Sequence, residues 1–314
     1  METLAGLRGD RYKARSVTWM VLAVLSAVFL GLYDVAKKAS VQDNAVLPVL
    51  LACSASGLLV FLPVVALSLA APASASAHGL FIESMSTVGH LLVLAKAAVV
   101  TLSWVLTYFA LKHLPISLAA PVRASAPLFT LLGAITLFGE RPSARQGVGI
   151  AVILFSYWIF SLIGKTEGIR FSRNAWVWSL FAGTLVGAAS GLYDKHLLQV
   201  AKLPALSMQL WFTVYGTLIQ AAIVVFLWWP QRARSTPFKF RPSILAVGIL
   251  LVAADALYFR ALAMPGALVS IVSTLRRTNV VLSFAIGALL FGDRNRLAKA
   301  AALAGILVGI FLIV

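Results

Sequence analysis

Two stretches decide how this chain is read: GLYDVAKK (31–38) and GLYDKHLL (191–198). Each closes a long apolar run, and the shared Gly-Leu-Tyr-Asp recurs 160 residues later. The likeness extends upstream. Ala23, Ala27 and Gly31 answer to Gly183, Gly187 and Gly191, small residues four apart, which is the spacing that lets a second helix approach closely. Further on, YFALKHLP from Tyr108 answers YFRALAMP from Tyr258, and LFGER (137–141) answers LFGDR (290–294). Arg123 matches Arg276 at the same 153-residue offset as the LFG motifs. The second half of the chain reads as a copy of the first.

Hydrophobic residues make up 61% of the 314 and charged residues 11%, and the mean hydropathy is +0.95. A water-soluble domain of this length does not tolerate such a composition, so the chain is read as an integral membrane protein. The apolar runs fall at about 17–37, 46–70, 89–112, 116–138, 143–163, 175–198, 204–229, 243–262, 266–291 and 296–314. As helices, runs of roughly twenty residues cross about 30 Å of hydrocarbon. They lack the alternation of barrel strands, and backbone groups in lipid must be paired within their own segment. The expected fold is therefore an all-α integral membrane protein with ten transmembrane helices, in two five-helix repeats at 1–163 and 175–314. Five is odd, so the second repeat enters the membrane from the opposite face and the repeats are inverted. On that reading the Tyr-Asp ends of the first and sixth helices form polar clusters at opposite mouths.

The net charge of +16 is taken as loop charge facing anionic lipid headgroups, not as a nucleic-acid footprint, because the basic residues are scattered between apolar runs. The basic stretch from Arg8 to Arg15 imitates a secretory signal, but nine further runs follow, so the run after it is read as a first transmembrane helix. Cys53 is the one cysteine, which excludes an intramolecular disulfide.

With its two five-helix copies, Lys37 near the end of the first helix, and the Gly-Glu-Arg of Gly139 to Arg141 with its Gly-Asp-Arg partner, the chain resembles the EamA-type family of the drug/metabolite transporter superfamily from Val17 to Val314. The resemblance implies a carrier in a bacterial cytoplasmic membrane with both termini inside. It does not imply a substrate, since members of similar fold move very different compounds. Loop charge opposes that orientation, because most loop lysine and arginine falls on the other side. The Tyr-Asp pairs and the adjacent Arg276 and Arg277 are not general features of the family, and are taken to report this chain's own substrate.

Ionisable side chains within the bilayer persist only when paired, hydrated or useful. Deep in the runs lie Lys96, Arg123, Arg276, Arg277 and Asp255; nearer the ends lie Asp34, Lys37, Asp194, Lys195, His196 and Arg260. For the end group the bland expectation is snorkelling or local pairing, Asp34 with Lys37 one turn on. In the deep group Asp255 is expected to pair with Arg277, which leaves basic charge in excess. Arg123 and Arg276, at matched places in the fourth and ninth runs, would face a shared central cavity and fork onto a substrate carboxylate or phosphate.

The candidate substrate-binding set is thus Arg123, Arg276, Arg277, Lys96, Tyr108, Tyr258 and Trp104. The candidate gating or proton-coupling set is Asp34, Asp194, Asp255, Tyr33, Tyr193 and Lys37. The aromatics, with Trp211 and Tyr215, fit an interface belt or helix packing as well as a cavity lining. Glu140–Arg141 and Asp293–Arg294 fit helix-end chemistry, the acid serving the amino end of the next helix and Pro142 starting it, with gating as the second reading.

His78, His90, His113 and His196 show no metal-ligand spacing, and no Gly-rich loop with a following Lys-Ser/Thr suggests ATP hydrolysis. Neither an enzyme activity nor a cofactor is expected. The expected partners are a small-molecule substrate and membrane lipid; proton or ion coupling stays open. The function expected is secondary transport of a small polar metabolite bearing an anionic group. The alternatives are export of organic cations, drugs or amino acids through Asp255 and the aromatics, and a membrane enzyme or lipid-handling scaffold.

Overall fold

The structure is a computed structural model and describes residues 2–113, 122–123, 125–163, 174–279, 281–282, 286 and 296–313. Eleven α-helices are described: α1 Glu2–Val41, α2 Val46–Ala70, α3 Pro72–Ala77, α4 Thr87–His113, α5 Ala126–Phe138, α6 Ala144–Ile163, α7 Ala175–Lys195, α8 Ala205–Ile223, α9 Pro242–Ala263, α10 Val269–Arg277 and α11 Arg296–Ile313. No strand occurs among the described residues. Six helical spans are long and apolar enough to cross a bilayer: Thr18–Val41, Val46–Ala70, Thr87–Ala110, Ala175–Val200, Ala205–Gln231 and Pro242–Ala263. Shorter apolar helices cover Ala126–Phe138, Ala144–Ser156 and Ala304–Ile313. The chain is a multi-pass, all-helical integral membrane protein.

Two of the expected runs are not continuous helices. In the run expected at 266–291, α10 stops at Arg277 and Thr278 turns the chain. In the run expected at 116–138, helical residues 122–123 precede a turn at Ser125, and α5 begins at Ala126. Ser125 and Thr278 stand at the 153-residue offset and do the same thing. Each hydroxyl donates to the carbonyl three residues back, Ser125 Oγ to Val122 O at 2.6 Å and Thr278 Oγ1 to Leu275 O at 2.6 Å. The backbone amides follow at 3.2 and 3.1 Å. A hydroxyl that bonds back to its own helix competes with the regular ladder and tightens the turn. Pro127, which lacks an N–H, falls in the first turn of α5, where none is needed.

Several helix contacts run through small residues while a set of large apolar ones faces outward, as expected where lipid is as apolar as leucine. Leu62, Leu69, Leu137, Phe226 and Phe311 are exposed, while Ala23, Ser26, Ala27, Ser103 and Thr184 are buried. On α1, Ser26 donates to Ala254 O of α9 at 2.7 Å; on α4, Ser103 donates to Gly183 O of α7 at 2.7 Å. The small stripe on α7 faces α4, since a Cβ at Gly183 would come within 2.6 Å of Thr107 Oγ1 and 3.1 Å of Ser103 O. The last helices of the two halves, α6 and α11, pack on one another through Gly149 and Gly309: a Cβ at either would lie 2.8 or 2.9 Å from the other's carbonyl oxygen.

The ends of α1 and α7 are tied to opposite ends of α9. Beside α1, Asn44 and Lys239 exchange hydrogen bonds at 2.6 and 2.8 Å, and Ser40 Oγ donates to Ser243 at 2.7 Å. Past α7, Gln199 donates to Leu262 O and Ala267 O at 2.8 and 3.0 Å. The 22 residues of α9 rise about 33 Å, close to the thickness of the hydrocarbon core.

Candidate functional site

A cavity of about 210 Å³ lies between the helices of the two halves, far above the ~10–15 Å³ that one water requires. Its wall holds five basic side chains, Lys37, Lys96, Arg123, Arg276 and Arg277, and three carboxylates, Asp34, Asp194 and Asp255. Among the described residues the wall therefore carries two positive charges in excess. Trp104, Tyr108, Tyr258 and Tyr33 complete the set of sequence candidates that line it. Tyr193 does not: its hydroxyl donates to Leu92 O at 3.2 Å.

Asp34 and Asp194 do not sit at separate mouths. Their helices end at opposite ends of α9, yet Asp34, two turns before the end of α1, and Asp194, at the end of α7 just before the π turn at His196–Val200, both line the same cavity. Asp194 is 4% exposed; it pairs with Lys96 and accepts from Tyr258 Oη at 3.1 Å. Lys96 is therefore not an uncompensated deep cation. Asp34 accepts from Asn279 Nδ2 at 2.5 Å instead of pairing with Lys37. The Lys37 ammonium lies over the Tyr108 ring, 4.1 Å from its centroid, and 5.3 Å from that of Tyr33. The two tyrosine hydroxyls meet at 3.2 Å.

Asp255 pairs with Arg276, the neighbour of the arginine expected there. The Arg276 guanidinium also lies 4.2 Å from the Tyr258 ring centroid, and its Nε is buried without a hydrogen-bond partner. Arg123 lines the cavity and makes no hydrogen bond or ion pair among the described residues. Both arginines stand two residues before the matched turns at Ser125 and Thr278, and Arg276 does so at the carboxyl end of α10, whose last carbonyls favour a cation. Both line the cavity. Arg277 also faces the cavity; the residue in its place in the first copy is Ala124.

Of the aromatics, Tyr108 and Tyr258 are 5% and 4% exposed, and with Trp104 they belong to the cavity rather than to an interface belt. Trp211 and Tyr215 pack around His90, whose Nδ1 meets Tyr215 Oη at 2.9 Å. Two polar partners escaped the sequence reading. Asn279 follows Thr278 at the turn, and the repeated Arg-x-Ser/Thr at 123–125 and 276–278 is the signal that points to it. The other is Glu140. It does not serve the next helix, because Ser143 and Gln146 cap α6 between themselves, with Gln146 N donating to Ser143 Oγ at 3.2 Å and Ser143 N to Gln146 Oε1 at 3.0 Å. Its partners lie on α7 and α10. Asp293 and Arg294 lie outside the described residues. Among the described residues no cluster of three or more His, Cys, Asp or Glu could hold a metal ion.

Comparison with known proteins adds the family. A crystal structure of another protein is similar in fold with a TM-score of 0.69, over 94% of this chain and 97% of that one; at 16% identity it speaks for the fold alone. No curated protein matches the chain. Residues 17–162 match the model of the EamA-like transporter family, a family of membrane transporters rather than of enzymes. Those residues reach from the first spanning helix to the end of α6, and over them this multi-pass membrane protein is similar to the EamA-like transporter family.

Proposed function

We infer that the protein is a secondary carrier of a small metabolite bearing a carboxylate or phosphate, bound in the central cavity and exposed to each face in turn. The observation that carries this is the cavity wall, whose excess of two positive charges includes Arg123 without a partner in the described residues and Arg276 with a buried, unpaired Nε. Unpaired charge in a low-dielectric interior is costly, and a bidentate anion would relieve it. Asp34 and Asp194, each at the end of a first helix and each reaching the cavity, are suited to gating or to carrying a proton.

Alternating access rests on reading 1–163 and 175–314 as inverted five-helix repeats. Helix neighbours support it. Exchanging the first five runs for the second five turns α1 on α9 into α7 on α4, α2 on α9 into α8 on α4, and α1 on α10 into α7 on α5, and all of these contacts occur. The pairs α2–α8, α5–α10 and α6–α11 map onto themselves.

The test is a thermal-shift screen of purified protein against carboxylates, phosphates, zwitterions and organic cations, followed by uptake of hits into proteoliposomes. Anionic ligands should raise the melting temperature, and Arg123→Ala should cost about 1.5–3 kcal/mol of binding per charged hydrogen bond lost. Hits that are all cations, and that bind Arg123→Ala undiminished, would sink the reading in favour of a cation exporter.

A further inference from the structure

Beyond the cavity lies a second charged cluster, which ligand binding does not use. Glu140 is 5% exposed and accepts from four donors: Val269 N–H at 2.7 Å, Ser270 N–H at 3.1 Å, the Ser270 hydroxyl, and Lys195 Nζ at 2.6 Å. A carboxylate so far from water needs its lone pairs filled, and these four donors fill them. They come from two other helices: Lys195 ends α7, and Val269 and Ser270 open α10. Gly139 sets the aim. It adopts φ 61° after α5, a left-handed cap in which Gly139 N–H donates to Ile135 O at 3.1 Å and Glu140 N–H to Ala134 O at 3.2 Å.

What Glu140 holds is α10, a nine-residue helix. Its amino end sits on the Glu140 carboxylate; its carboxyl end carries Arg276 into the cavity, where Asp255 and the Tyr258 ring hold it. Directly beyond Arg277 the chain turns at Thr278. The end of α7 has the same double attachment: Asp194 is in the cavity on Lys96 and Tyr258, and the next residue, Lys195, is on Glu140. Two elements thus have one attachment in the cavity and the other at Glu140.

We propose that Glu140, Lys195 and the amino end of α10 form a latch that keeps the cavity closed towards the side where α9 ends, with α10 as the lever between latch and cavity. This rests on the carrier reading above. Opening exposes Glu140, Lys195 and the freed amides to water, so the charges exchange partners instead of being stranded, and the turn at Thr278 takes up the change in direction. A ligand that draws Arg276 off Asp255 acts on the far end of the same lever, and it shifts the equilibrium by its difference in affinity for the two arrangements.

The experiment needs no substrate. In a Cys53→Ser background, Ser273→Cys places a thiol on α10, in the cavity wall between latch and Arg276. Membrane-impermeant maleimide is then applied to oriented vesicles from either face. Glu140→Gln should raise labelling from the α9-end face about ten-fold, and Ser270→Ala, which removes one hydroxyl, about three-fold, with no rise from the other face. Asp255→Asn, which releases the lever's far end, should raise labelling from the same face. Thermal melting and size-exclusion elution establish that each variant is folded, and Ser270→Ala serves if Glu140→Gln is not. Unchanged labelling in folded latch variants overturns the latch; unchanged labelling in Asp255→Asn alone removes the lever. If labelling responds but no compound is carried in proteoliposomes, the carrier reading fails and the latch stands. Normal transport with unresponsive labelling overturns the latch and leaves the carrier standing.

Discussion

The same four residues, Gly-Leu-Tyr-Asp, fall two turns before the end of α1 and at the end of α7, and the structure uses them differently. On α7, Asp194 is almost sealed from water, ion-paired with Lys96 and hydrogen-bonded by Tyr258. On α1, Asp34 is half-buried and accepts an amide hydrogen from Asn279. The glycines differ too. A Cβ at Gly31 would meet Leu282 Cβ at 2.8 Å and Asn279 O at 3.0 Å, while one at Gly191 would find nothing nearer than Tyr258 Oη at 3.9 Å. Past Asp34 the α-helix runs on to Val41; past Lys195 it widens into a π turn over His196–Val200. One site is wedged by charge and the other by backbone contact, so the matched residues of the two Gly-Leu-Tyr-Asp motifs need not have equivalent energies.

The largest effect tests whether the two ends face opposite sides of the membrane. With Cys53→Ser as background, thiols introduced by Gln42→Cys and Val200→Cys, both at exposed positions, should each be labelled by impermeant maleimide from one face only, and the faces should differ. Labelling of both from one side breaks the comparison at its root.

Next comes the ion pair. Asp194→Asn leaves the Lys96 ammonium buried with its partner gone, and should destabilise the protein by about 3–5 kcal/mol, seen as a large drop in melting temperature in detergent. Adding Lys96→Met should recover much of that loss, because removing both charges costs less than stranding one. A double variant no better than the single one would mean that Tyr258 and shape, not charge, decide this site.

Gly31→Ala should cost about 1–3 kcal/mol from overpacking, whereas Gly191→Ala should be neutral or stabilising by up to about 1 kcal/mol through helix propensity. Thermal unfolding of the two variants side by side reads the difference, and equal losses would erase the distinction between the stripes. The smallest effect is at Asp34→Asn, about 0.5–1.5 kcal/mol for one hydrogen bond with its acceptor kept in place. Its consequence should be in transport rate more than in melting temperature; a drop as deep as that of Asp194→Asn would show that the two sites are alike after all.

Composition and the repeated motifs made the membrane class, the matched arginines and the family resemblance legible. Which face of each helix looks inward was not, because an apolar interior and an apolar solvent leave no amphipathic stripe to read. The asymmetry between the two Tyr-Asp ends had a trace all the same. At the offset of the Tyr-Phe motifs, Lys96 corresponds to Ala246 and Asp255 to Val105, so neither charge has a counterpart in the other half. The turns at Ser125 and Thr278 left no mark on hydropathy, since serine and threonine are close to neutral there and each bonds to its own backbone. Glu140 was read as local chemistry because its partners lie 55 and about 130 residues away.

The crossing of α6 and α11 bears on how such a molecule can move. Gly149 and Gly309 bring two backbones together, each glycine packed against the other helix's isoleucine, Ile313 or Ile153, while Phe155, Trp158, Val308 and Phe311 face outward around the contact. Helices meshed through long side chains resist turning, since every knob must climb out of its hole. A contact built on Gly149, Ser156, Gly305 and Gly309 has few such knobs, so it would resist separation more than rotation. The crossing belongs equally to both halves of the chain. On the alternating-access reading proposed above, it would give them a place to turn about each other without parting.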